Sequence, residues 1–139
     1  DEFTSRYEQR WFVGAHSNVG GGYKNPSPVY KVPLKWMEDR AAAAGLGMAN
    51  RQQLDGSEHL ESINDSFADF WPYRIAFWTK RQRRPILRRG EKKVTKRGVN
   101  GTVFVLNEVV DDTVLDRRKQ GSKDGKPYRP KNLPEHLGG

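Results

Sequence analysis

The chain has 139 residues, no cysteine and a formal net charge of +8, with 35% hydrophobic and 30% charged side chains. That length suits one modest domain hiding roughly two thirds of its unfolded surface. The lack of cysteine excludes thiol catalysis, cysteine-based zinc sites and a disulfide framework. The charge is localised: residues 80–97, KRQRRPILRRGEKKVTKR, hold ten Lys or Arg against Glu91 alone, so +9 lies there and the rest carries −1. No basic start leads into an apolar run, and none approaches the roughly 18–20 residues that span a bilayer. A chain starting at Asp1 is expected to be a fragment, soluble or at most peripheral.

Residues 7–13, YEQRWFV, end in three unbroken apolar side chains, the pattern of a strand buried on both faces in a parallel sheet. Gly14 stops it. The loop GAHSNVGGGY and a Pro-containing link follow. Pro33 then stands where a first helical residue would, and Leu34, Met37, Ala41 and Ala44 recur at helical spacing up to Gly45. Residues 47–64 read as a polar loop in which His59 is expected to be solvated. Beyond Asp65, an N-cap candidate, Phe67, Phe70, Trp71, Ile75 and Trp78 fall near one helical face, with a kink or restart at Pro72. Asn100-Gly101 beside β-branched residues predicts a hairpin with strands near 92–99 and 102–109. A short helix over Asp112–Lys119 and a turn-rich tail complete the chain.

The glycine loop does not fit the phosphate-binding patterns. Gly14 and Gly20 have five residues between them and no Lys-Ser or Lys-Thr follows, so a P-loop is excluded. The spacing also fails the dinucleotide-binding fingerprint. His59 and His136 have no metal-ligand spacing with His16, so no metal is expected. Two readings remain. Either the glycines form a tight turn beside an ordinary loop histidine, or His16, just past the carboxyl end of a sheet strand, is a general base at the position where such sheets carry functional loops.

RWFVGAHSNVGGGY followed by PLKWMEDRAAAAGL closely resembles the C-terminal part of a bacterial α/β-hydrolase domain family that includes the type VI secretion phospholipase effectors. Its hallmark is W-F-x-G-x-H-S-D-V-G-G-G-Y. The resemblance is strongest over residues 9–46, weaker at NDSFADFW and YRPKNL, and leaves the basic segment uncovered. It implies an α/β fold: a C-terminal fragment of a hydrolase-like parallel-sheet domain, with a β-hairpin and an irregular tail. Residues 1–80 would belong to the catalytic domain, 81–98 would be a basic surface segment, and 99–139 would supply the second hairpin strand, the short helix and the tail. His16 maps onto the triad histidine, in an active-site loop with Gly14, Ser17, Asn18, Gly20, Gly21 and Gly22. The implied substrate is a lipid ester, without cofactor. The implied location is the bacterial cytoplasm with export by type VI secretion, and the implied partners are immunity or secretion-apparatus proteins.

Two departures stand out. Asn18 replaces an Asp that is frequent in the family, and the G-x-S-x-G nucleophile and the acid of that family, which precede the histidine, are not in this chain. The chain is therefore expected to be inactive alone. The alternative is a non-catalytic basic module. Arg81, Arg83, Arg84, Arg88, Arg89, Lys92 and Lys93 would bind an anionic membrane beside the aromatic stretch, or nucleic acid, which ranks lower as a partner. A charge run of this kind is most often a solvated link.

Overall fold

The computed structural model describes residues 8–65, 86, 91–96, 99–104 and 108–137, with the backbone alone for 91–96, 99–104 and 136. The aromatic helix expected after Asp65 lies outside the described residues.

Strand β1 spans Gln9–Trp11, shorter than the seven residues expected. It pairs in parallel with β4, Glu108–Val110, in the register Gln9↔Glu108, Arg10↔Val109, Trp11↔Val110. A parallel pair needs a long crossover. Here it joins the two ends of the chain. β1 is not buried on both faces, because Gln9 is exposed and Arg10 and Trp11 are only half-buried. Its charge is answered locally: Arg10 bridges Glu8 at 2.6 Å and Asp111 at 3.1 Å, and the Trp11 indole donates to Glu108 at 3.1 Å.

Helix α1 covers His16–Gly20, where a loop was expected. Helix α2 covers Lys31–Ala43 and starts two residues before Pro33. The cause is the preceding 3-10 turn, Pro28–Tyr30, capped by Ser27 and running straight into the helix. Pro33 still falls in the first turn of α2, where backbone N–H groups have no helical partner to lose. The helix closes on Gly45 at φ +90, with Leu46 N–H on Ala41 O and Gly45 N–H on Ala42 O, a Schellman arrangement. Its apolar spacing misleads about direction. Val32, Pro33 and Glu38 are buried, whereas Leu34 and Met37 are exposed, Met37 by 57%. Glu38 is buried with a partner, since it accepts the Gln52 N–H at 2.7 Å.

The predicted hairpin is present but shifted. β2, Glu91–Lys96, pairs antiparallel with β3, Val99–Phe104, in a register that sets Lys96 opposite Val99. Asn100 and Gly101 therefore lie within β3, opposite Thr95 and Val94, and do not form the turn. The segment read as one strand over 102–109 contributes to two, its end being β4 against β1. Helix α3, Asp112–Gln120, matches its local signals. The Asp111 carboxylate accepts the Thr113 N–H, Arg117, Arg118 and Lys119 sit in the last turn, and Gly121 ends it at φ +82.

The core among the described residues is small. Val13, Val29, Val114 and Leu133 form one buried cluster, lined by Ile63, Ile86, Val110, Tyr128 and Leu137. It sits under the exit of β1, against the 3-10 turn before α2, and under α3. Trp11 and Trp36 are only half-buried; Trp36 packs on Phe12 at 5.7 Å between ring centroids and under the guanidinium groups of Arg10 and Arg40.

Candidate functional site

The loop after β1 is built around one buried side chain, Asn18. It is 2% exposed, and its Oδ1 accepts the N–H of Ala15 at 2.9 Å while its own N–H reaches Ala15 O at 3.0 Å. This satisfies a donor ahead of the helix and starts α1 one residue later, at His16. The bond needs only an acceptor oxygen, so the amide fills a place that a carboxylate would also fill.

Gly14 makes that packing possible. Its φ is +107, and a Cβ added there would lie 2.4 Å from Asn18 Cβ, far inside contact distance. The other glycines differ from it and from one another. Gly21 and Gly22 adopt φ of +81 and +105, which turns the chain out of α1, whereas Gly20 has no such conformation. No described atom lies within 4 Å of a Cβ placed on Gly20, Gly21 or Gly22. Downstream, Asn64 holds the end of the turn: its Oδ1 accepts the Ser27 N–H at 2.8 Å and its amide donates to Asn25 O at 3.3 Å.

His16 is exposed at the first position of α1, and Ser17 beside it is half-buried. No described side chain is bonded to the His16 imidazole. The geometry therefore provides an imidazole held on a short, well-anchored turn at the carboxyl end of a parallel strand, open to a reacting group brought from elsewhere. Among the described residues no group of three or more His, Asp or Glu is placed to hold a metal ion.

His59 is not solvated as its polar surroundings suggested. It is 6% exposed in the 3-10 turn Glu58–Leu60, and its Nε2 lies 2.6 Å from Asp116 Oδ2 on α3. Bonds from Gln120 and then His59 hold the Asp116 carboxyl below its usual range, so it is an ionised acceptor and His59 Nε2 donates. Arg117, 3% exposed, donates to His59 O at 2.5 Å and Glu61 O at 2.6 Å and covers the Tyr128 ring at 5.3 Å. Nothing in the spacing of these residues announces the cluster.

Of the basic residues singled out, Arg81, Arg83, Arg84, Arg88 and Arg89 lie outside the described residues. Lys92 and Lys93 are in β2, opposite Val103 and Thr102. No described helix is long and apolar enough to cross a membrane.

Residues 1–40 match the family model of the type VI secretion system phospholipase effector, Tle1-like, catalytic domain. The match takes in β1, the glycine loop and most of α2, and stops short of the remaining 99 of the 139 residues. No curated protein and no solved structure matches the chain.

Proposed function

We propose that this chain is the C-terminal portion of an α/β-hydrolase-like catalytic domain of a serine ester hydrolase acting on lipid esters, and that His16 is its general base. The observation that carries the reading is the phospholipase-effector match over residues 1–40, which includes His16. The placement of His16 agrees with it: an exposed imidazole on an anchored turn at the end of a parallel strand.

In the complete protein, His16 takes the proton of the serine as that oxygen attacks the ester carbonyl, then returns it to the departing alcohol. Serine and acid come from outside these residues, in the chain order nucleophile, acid, histidine. A bacterial protein of this kind would be delivered by type VI secretion to a lipid target.

The test is His16→Ala in the complete protein, assayed by fatty-acid release from phospholipid vesicles. Hydrolysis is expected to fall by about 10²–10⁴-fold, the usual contribution of a general base, with vesicle binding retained. Undiminished hydrolysis overturns the reading.

A further inference from the structure

β2 and β3 form a sheet of their own. Among the described residues neither strand pairs with a third. A two-stranded hairpin is only marginally stable alone in water and needs something against one of its faces. The register shows what each face offers.

Residues alternate between the two faces along a strand, and residues directly opposite in an antiparallel pair share a face. One face therefore takes Lys92, Val94 and Lys96 from β2 with Val103, Gly101 and Val99 from β3. It combines three valines with two lysines and holds no carboxylate. The other face takes Lys93, Thr95, Asn100 and Thr102, and sets Glu91 opposite Phe104 at its end. β2 also lies in the segment with the excess charge, where residues 80–97 hold ten Lys or Arg against Glu91 alone.

The face with the valines suits a lipid surface better than nucleic acid. Phosphates of a duplex would engage the lysines and leave the valines in water. An anionic bilayer takes both, with apolar groups at the acyl boundary and ammonium groups among the headgroup phosphates. The phospholipase-effector match over residues 1–40 favours the same surface.

We propose that the β2–β3 hairpin docks the protein on anionic membranes, laying the face of Val94, Val99 and Val103 on the bilayer with Lys92 and Lys96 at headgroup phosphates. This rests on the lipid-ester reading above for the choice of surface, and needs no chemistry at His16.

The test is cosedimentation of the complete protein with vesicles of phosphatidylcholine, alone or mixed with phosphatidylglycerol. Binding is expected on the mixed vesicles and should weaken as salt rises. Lys92→Gln should weaken it about fivefold, the usual contribution of one cation near an anionic membrane, and Lys92→Gln with Lys96→Gln about 20-fold or more. Lys93→Gln removes the same charge from the opposite face and should cost less than about twofold. Val94→Thr with Val103→Thr keeps β-branched residues in the strands and should also weaken vesicle binding several-fold. Equal losses at Lys92 and Lys93 overturn the proposal, because charge alone would then act without regard to face. Failure to bind mixed vesicles, with or without binding to a DNA duplex, overturns it as well. Should the threonine variant melt early, the comparison of Lys92 with Lys93 decides alone. Sedimentation reads binding and not hydrolysis, so an active His16→Ala would remove the hydrolase reading and leave this outcome unchanged.

Discussion

Arg117 on α3 donates to the main-chain carbonyl of His59, 58 residues away, and this bond fastens the polar loop before residue 65 to the last helix. A second bond from the same Nη1 reaches Glu61 O and the guanidinium covers the Tyr128 ring, while Nε is buried without a hydrogen-bond partner among the described residues. Hydrogen bonds made by a charged donor are worth more than neutral ones, and a buried guanidinium is costly unless its donors are used. Around this arginine the loop at residues 59–61 is joined to the C-terminal segment.

Arg117→Met is expected to destabilise the protein by about 2–4 kcal/mol, because two carbonyls lose a charged donor. Arg117→Lys should recover part of this, since a single nitrogen, Nη1, serves both carbonyls and one ammonium can donate to two, while the stacking of the guanidinium plane on Tyr128 is lost. Urea denaturation of the three proteins checks the order: wild type, then lysine, then methionine. A lysine variant as stable as wild type would show that charge alone matters at this position.

Glycine substitutions in the loop should separate sharply. Gly14→Ala meets Asn18 and demands a left-handed backbone, so a loss of about 2 kcal/mol or more is expected. Gly20→Ala meets no described atom and needs no unusual conformation, and it should be neutral or stabilising by up to about 1 kcal/mol. Asn18→Ala, which leaves the Ala15 N–H without its acceptor, is expected to cost about 1 kcal/mol, and Asn18→Asp nearly nothing. Thermal melts of the four variants decide, and equal effects at Gly14 and Gly20 would remove the steric argument.

Acid should loosen the C-terminal half before pH 2 is reached. Lys126 and then Ser122 hold Asp124 down to about 2, and Gln120 and then His59 lower Asp116. Each folded carboxyl thus titrates below the unfolded value of about 3.9, so its stabilisation is fully present above about pH 4 and fades as pH falls toward 2. Both groups are solvent-accessible and salt should weaken the effect. Melting temperatures between pH 6 and 2 check it: Asp124→Asn and Asp116→Asn should flatten the acid limb, and limbs parallel to wild type would deny these groups a part.

Much of the local structure is legible in the sequence because its causes lie within a few residues. Asp111 before the helix, basic residues in its last turn and Gly121 after it define α3 almost to the residue. Gly45 ends α2, and the β-branched run gives a hairpin. Errors arise where two local solutions compete. Asn100-Gly101 is a good turn dipeptide, yet the pairing that sets Lys96 opposite Val99 places it in a strand. The spacing of Leu34, Met37 and Ala41 is helical, yet the helix turns Val32 and Glu38 inward. Of the site, His16 and its glycines stand out in the sequence, as does the resemblance around them.

Propensity, capping and φ > 0 act over one or two turns, so where the chain turns, caps and carries its one conspicuous histidine can be read from the order of the residues. Tertiary contacts alone place β1 beside β4, bury His59 against Asp116, and set the Arg117 guanidinium over the Tyr128 ring. The first two join residues tens of positions apart. Their cause is the shared burial of Val13, Val29, Val114 and Leu133, which draws both ends of the chain onto one small core.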